Sequence, residues 1–184
     1  MISWPSSVPT LLDGDLMLRP WAESDMDAVF EICQDPTIQL LTTVPVPYLR
    51  KTADDFFRHQ ALGFELQDSI SFAGVVNGEV VASFALHHCI LFDHFCEIGY
   101  WVAPDARGHG YAHRGAILAT NFAFSIGFRR VQAVTLPENP GSQKTLLKAG
   151  FEMENVLRQG MTRRDGTQTD AVMFAKFPPV VVKS

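Results

Sequence analysis

The residues with the most chemical content run from Glu97 to Ala112: Glu97-Ile-Gly-Tyr-Trp-Val102, a turn region from Pro104 to Gly110, then Tyr111-Ala112 opening a long apolar-periodic segment. A strand ends, a glycine-bearing turn follows, and a helix begins. Gly108 and Gly110 allow the backbone to approach a ligand closely, and the first N–H groups of a helix have no intrahelical acceptor. The helix dipole adds roughly half a positive charge at the same end. Arg107, His109, His113 and Arg114 gather beside it in a chain that is otherwise acidic. These features suit a phosphate or pyrophosphate. The dinucleotide fingerprint is excluded because its third glycine is missing, and a Walker loop because G-K-[ST] is missing. A plain strand-to-helix turn with a solvated arginine would use the same glycines, so the stretch alone leaves both readings open.

Groups able to move protons lie close by in sequence. Glu97 sits on the strand before the turn, and His87-His88 end the preceding strand. A carboxylate can act as general base directly or through a water, and a histidine with an ordinary pKa of about 6.5 can do the same. Either could equally be a solvated strand-end residue. Cys33, Cys89 and Cys96 lack any local context that would lower a thiol pKa, so a cysteine nucleophile is not expected. They cannot pair completely and form no C-x-x-C, which points to a reducing compartment and away from a zinc site. No metal is expected.

The elements that must position these groups follow from periodicity. Asp15–Arg19 reads as a strand ended by Pro20. Ser24 with Asp27 reads as a capping box opening a helix that Asp35-Pro36 stops. Thr37–Lys51, with Pro45 and Pro47, reads as a loop, and Thr52 with Asp55 opens a second helix. Ser71–Val76 and Glu79–Leu86 flank Asn77-Gly78, a strong hairpin signal because both residues tolerate positive φ. His88–Phe95 reads as a connection and Cys96–Val102 as a strand. Tyr111–Ile126 is a helix with Tyr111, Leu118, Phe122 and Ile126 on one stripe, ended by Gly127. Val131–Leu136 is a strand. Asn139-Pro140 is a cap followed by proline at the first helical position, and that helix runs to about Ala149. Phe151–Gln159 and Thr169–Phe177 are strands joined through Arg164-Asp165-Gly166. The order β α α β β β α β α β β indicates an α+β, or mixed-sheet α/β, fold.

Composition bounds the class. With 184 residues, 47% hydrophobic and 19% charged, one domain over residues 1–184 has enough apolar surface for its own core. A net charge of −5 argues against a general nucleic-acid partner. No apolar run approaches the roughly 20 residues of a membrane span, so no membrane is expected. The first residues, Met-Ile-Ser-Trp-Pro, do not have a cationic head followed by an apolar stretch, and a cytoplasmic location is expected.

Two patterns together resemble one family. Arg107-Gly-His-Gly110-Tyr-Ala112 matches R-x-x-G-x-A, which is similar to the acetyl-CoA pyrophosphate loop of the GNAT N-acetyltransferases. Downstream, Asn139-Pro-Gly-Ser142-Gln-Lys-Thr-Leu-Leu-Lys148-Ala-Gly150-Phe151 resembles the family pattern N-x-x-S-x-x-x-x-x-K-x-G-F. Leu18-Arg19-Pro20-Trp21 with Asp25, the loop Val44-Pro-Val-Pro47, and Glu97-Ile-Gly-Tyr-Trp101 look like the ribosomal-protein N-terminal acetyltransferase group. The resemblance spans about Leu16 to Lys176. It implies a mixed, mostly antiparallel, V-split sheet flanked by helices. It also implies an enzyme that moves an acetyl group from acetyl-CoA, its co-substrate, to an amine by direct attack. Val102, Arg107, Gly108, His109, Gly110, Tyr111, Ala112, Asn139 and Ser142 would hold the cofactor, with a backbone N–H near Val102 as oxyanion donor. Glu97 would be the base. The tyrosine that many members place seven residues after the asparagine is Leu146 here, so Ser142 would be the acid. Gly110-Tyr-Ala-His113-Arg114-Gly115 also departs from the common G-Y-A-T-E-A, making the local field more positive. The acceptor would be a peptide N-terminus or a small amine, and a homodimer is the expected assembly. A non-catalytic acyl-CoA sensor could use the same loop.

Overall fold

The computed structural model describes residues 1–179. Its strands are β1 (Leu11–Asp13), β2 (Leu16–Arg19), β3 (Ile70–Val76), β4 (Glu79–Ile90), β5 (Phe95–Val102), β6 (Arg130–Thr135), β7 (Glu152–Thr162) and β8 (Gln168–Lys176). The helices are α1 (Met26–Ile32), α2 (Pro36–Leu41), α3 (Arg50–Glu65), α4 (Tyr111–Ser125) and α5 (Pro140–Lys148). All strands join one sheet in the order β1-β2-β3-β4-β5-β6-β8-β7. Every neighbour is antiparallel except β5 and β6, which run parallel. This is the mixed, mostly antiparallel sheet expected from the sequence. Among the described residues, no helix is long and apolar enough to cross a membrane.

Two apolar clusters cover the two faces of the sheet. Side chains alternate along a strand. Ile98, Tyr100 and Val102 of β5 therefore belong to the cluster that contains Ala116, Ala119 and Ala123 of α4. Trp101 joins the other cluster, with Val29 of α1 and Ala53 of α3. The stripe of α4 nearest the sheet is made of small residues: Gly115, Ala116, Ala119, Thr120 and Ala123 are buried. The large residues expected there, Leu118 and Phe122, lie half-buried beside it. The reason is close approach, since a Cβ at Gly115 would lie 2.1 Å from the Phe84 ring.

Several local expectations need correction. The first helix is preceded by a 3-10 turn, Glu23–Asp25, and Asp25 rather than Asp27 accepts the capping N–H, from Ala22 at 2.9 Å. Asp35-Pro36 stops α1 but also starts α2: the Asp35 carboxylate accepts from Ile38 N at 2.9 Å, and Pro36 takes the first helical position. Part of the expected loop is thus helical. Thr52 lies inside α3, where its hydroxyl accepts from the Leu49 N–H at 3.2 Å. β4 continues through His87 and His88 to Ile90, with a register shift after His87. β1 is an additional strand, hairpinned to β2 through Gly14.

Arg19 and Asp25 tie β2 to the first helical turn by two hydrogen bonds of 2.7 and 2.8 Å. Asp25 is 5% exposed. Burial pushes its pKa up, but the Arg19 guanidinium and the Ala22 N–H outweigh that and hold it below the ordinary carboxylate value. A depressed folded-state pKa adds stability above the unfolded value and loses it as pH falls through the folded one. Wild-type Tm is therefore expected to drop below about pH 4, and Asp25→Asn to remove that share of the drop. At neutral pH the variant should cost about 2 kcal/mol, since it leaves Arg19 unpaired in a half-buried site. Thermal melts of both proteins from pH 7 to pH 3 check this; parallel Tm curves would refute it.

Candidate active site

The β5–β6 pairing is short. Phe95, Cys96 and Glu97 pair with Arg130, Val131 and Gln132, and no further pair forms between the two strands. Beyond Glu97, β5 stays on β4 while β6 stays on β8, so the sheet splits. The Ala103 N–H donates to Val81 O at 2.8 Å. In an antiparallel ladder this makes Val102 and Ala82 a non-hydrogen-bonded pair, and Tyr100 and Phe84 likewise. The N–H and C=O groups of Tyr100 and Val102 thus point away from β4, into the split. The Val102 N–H therefore faces the split.

At the end of β5 the chain makes a 3-10 turn, Pro104–Ala106, and then enters the glycine turn. Gly108 and Gly110 both have φ of +83°, a conformation that disfavours side chains. Gly110 caps α4. The N–H groups of Gly108, His109 and Gly110 find no acceptor among the described residues. With Tyr111 and Ala112 opening α4, they form a run of donors at a positive helix end. His109 stacks on Tyr111, with centroids 5.8 Å apart, and its Nδ1 lies 3.1 Å from Arg107 O. Beside the turn, a cleft of about 660 Å³ carries Glu31, Glu79 and Asp105 on its walls, a poor home for an anion.

The cations are less free than the sequence suggested. The Arg107 guanidinium reaches Asp35 at the start of α2, at 2.5 Å. It also donates to Val102 O at 3.3 Å. Arg114 pairs with Asp13 and Asp15 of the β1–β2 hairpin at 2.7 and 2.8 Å. His113 has its pKa pushed down by burial, then by Lys148 and Arg114. The donors to an incoming anion are therefore mainly backbone N–H groups.

α5 borders the split on the α4 side. The Asn139 side chain accepts from Ser142 N at 3.0 Å, as expected of a helix cap. The Ser142 hydroxyl lies 2.9 Å from the Tyr100 hydroxyl, which rises from β5 across the gap. Burial pushes the Tyr100 phenol up to about 12. Leu146, at the position where a tyrosine was considered, is fully buried in the core.

The opposite face of β5 carries Glu97, Gly99 and Trp101. Glu97 faces His87 across the β4–β5 pair, with Nε2 to Oε1 at 3.9 Å. Its other oxygen accepts from Gln132 Nε2 at 3.2 Å. Gly99 makes room for the imidazole, because a Cβ there would lie 3.0 Å from His87 Nε2. His88 has φ of +48°, and this bulge brings two consecutive rings to 4.6 Å. Burial above all, and then His88, lower the His87 pKa, against the pull of Glu97 and Asp68. His87 is thus a neutral imidazole at neutral pH. Donor atoms of His87, His88 and Glu97 lie within 4.8 Å of one another, a set that could hold a metal ion. Cys89 and Cys96 are buried on the other face. The Cys96 thiol pKa is pushed up by its hydrogen bond to Cys89 and by burial, which makes it a poor nucleophile.

The structure brings Glu97 and His87 together on one face and Val102, Asn139 and Ser142 around the split, with residues 107–112 at its mouth. The sequence reading missed Tyr100, Gln132 and Asp35. Tyr100 was within reach by alternation, since it shares the face of Val102. Gln132 and Asp35 depend on a strand register and a long-range contact that no local pattern encodes.

The family described as Acetyltransferase (GNAT) domain matches residues 15–152. An uncharacterised N-acetyltransferase of Bacillus subtilis, YoaA, is 31% identical over 188 residues, covering 93% of this chain and 98% of its own. Among solved structures, Mycobacterium smegmatis RimJ in complex with CoA-disulfide superposes with a TM-score of 0.85 at 22% identity, covering 100% of this chain and 92% of that one. RimL, a ribosomal L7/L12 alpha-N-protein acetyltransferase in complex with coenzyme A, gives 0.84 at 17% identity over 92% and 97% of the two chains.

Proposed function

The chain belongs to the GNAT acetyltransferases, and on that premise we propose that it transfers an acetyl group from acetyl-CoA to a primary amine by direct attack in a ternary complex. The observation that carries this reading is the split beyond Glu97. It opens unpaired N–H groups on β5, ends at a positive helix terminus, and has proton-accepting groups on the opposite face. The pyrophosphate would rest on the N–H groups of residues 108–112, with Arg107 and His109 beside it. The pantetheine arm would run along the free edge of β5 toward Asn139 and Ser142.

The reaction divides between the two faces of β5. The amine arrives on the side of α1 and α3 and must be neutral to attack. Glu97, oriented by Gln132 and flanked by neutral His87, takes the proton that the nitrogen sheds. The Val102 N–H stabilises the oxyanion of the tetrahedral intermediate. As the intermediate collapses, the C–S bond breaks with its electron pair on sulfur, and Ser142 protonates the thiolate from the α5 side. Solvent then returns a proton to Ser142 and takes one from Glu97. No covalent enzyme intermediate is required.

For the acceptor, the resemblance of Leu18–Trp21, Val44–Pro47 and Glu97–Trp101 to the ribosomal-protein group favours a peptide N-terminus over a small amine. Thiol release from acetyl-CoA, followed for short peptides with free N-termini beside polyamines, amino acids and antibiotic amines, tests this. The expected result is a kcat/KM for at least one peptide well above that of every small amine. The reverse order would assign a small-molecule enzyme.

A further inference from the structure

The mechanism above leaves a difficulty at Ser142. A serine hydroxyl is a weak acid, and it can serve a leaving thiolate only if its proton points at sulfur. An isolated hydroxyl rotates among acceptors. The Asn139 side-chain Oδ1 is taken up by the Ser142 backbone N–H, so the cap fixes the backbone of α5 and leaves the Ser142 hydroxyl rotor free.

We propose that Tyr100 is the positioning residue that turns the Ser142 hydroxyl toward the thiolate, as a neutral phenol donating into the Ser142 oxygen across the split. The two hydroxyls are 2.9 Å apart, and the phenol lies 3.4 Å from the Ser142 carbonyl oxygen. The single phenol proton goes to the nearer acceptor, the Ser142 hydroxyl oxygen, and the 3.4 Å carbonyl contact is only a minor branch of the same donation. A hydroxyl oxygen that accepts one hydrogen bond holds its own proton in another direction, and the bond it accepts makes that proton a better donor. The phenol is held from the α5 side by Ser142, and its ring is held by Phe84 with centroids 5.9 Å apart. With the phenol proton directed at the Ser142 oxygen, the proton free to point at sulfur is the serine's, and Tyr100 polarises and aims it. The arrangement also gives a reason for Leu146: with the hydroxyl supplied from β5, the α5 position can be used for the core.

This inference rests on the reading of Ser142 as the acid, and the experiment separates the two. Ser142→Ala, Tyr100→Phe and the double variant are compared with acetyl-CoA and with an acetyl thioester of a more acidic thiol. Tyr100→Phe keeps the ring and removes only the hydroxyl. Expected values with acetyl-CoA are a loss in kcat of about 100-fold for Ser142→Ala, larger than any change in its CoA affinity, and of about 5- to 10-fold for Tyr100→Phe, whose CoA affinity and Tm should stay close to wild type. The double variant should be no slower than Ser142→Ala, because Tyr100 acts only through Ser142. Both single losses should shrink with the more acidic thiol, whose thiolate leaves without help. A purely structural tyrosine would give losses that multiply in the double variant and do not depend on the leaving group; that result overturns the inference while Ser142 stands. A near-normal kcat in Ser142→Ala overturns the Ser142 assignment, and the inference with it.

Discussion

A Gly110→Asp variant is expected to bind CoA about 100-fold or more weakly while remaining folded. Gly110 has φ of +83° and caps α4, and a Cβ there would lie 3.1 Å from the His113 ring. A side chain in left-handed geometry costs about 1–2 kcal/mol. The larger effect is electrostatic. A carboxylate about 4 Å from a bound phosphate charge costs on the order of 4 kcal/mol at an effective dielectric constant near 20. The fold should survive because the turn is at the surface. Gly108→Ala is the control: φ is also +83°, but nothing lies within 4 Å of the added Cβ and no charge is introduced, so the loss should be much smaller. Arg107→Ala should fall between, since its guanidinium already serves Asp35 and the backbone donors remain. Calorimetric titration with CoA reads all three. A folded Gly110→Asp protein with wild-type affinity would show that the pyrophosphate does not lie at this turn.

A Glu97→Gln variant is expected to lose about 100-fold or more in kcat, the usual size of a general-base contribution. The amide keeps the shape, and it can still meet Gln132 Nε2 through its oxygen, but it cannot take a proton. The loss should shrink at high pH, where the amine arrives neutral. CoA affinity should barely change, because Glu97 lies on the face of β5 opposite the α4 cluster. A near-normal kcat at neutral pH would move the role to His87, whose lowered pKa leaves a neutral, proton-accepting ring 3.9 Å from Glu97. His87→Ala and His88→Ala belong in the same pH series.

The legible parts of the sequence were those set by local chemistry. Asn77-Gly78, the Asn139-Pro140 cap and the stops at Gly127 and Gly150 need particular backbone angles, and only a few residue types supply them. Asp35-Pro36 misled because the same pair that ends one helix can cap the next; the choice was made by the Asp35 carboxylate bonding Ile38 N. His87 and His88 looked like strand-end residues because a bulge has no periodic signal. The partners of the charged groups were hidden for a different reason. Arg107 meets Asp35 across 72 positions and Arg114 meets Asp13 across 101, contacts that arise only when the β1–β2 hairpin and α2 fold against the turn. Glu97 was chosen by resemblance, and its orientation by Gln132 follows from the parallel β5–β6 register, which no local pattern could give.

The central claim is transfer from thioester to amine within one complex. It is tested most directly by mixing the protein with acetyl-labelled acetyl-CoA, first alone and then with the best acceptor from the amine panel. The label is then followed on protein, cofactor and amine in the same time course. The account predicts no label on the protein at any time. It predicts thiol release only when the amine is present, with label reaching the amine in step with that release. Label on the protein before the amine is added would contradict direct attack. Bound cofactor with no thiol release for any amine would contradict the enzyme itself and leave a sensor.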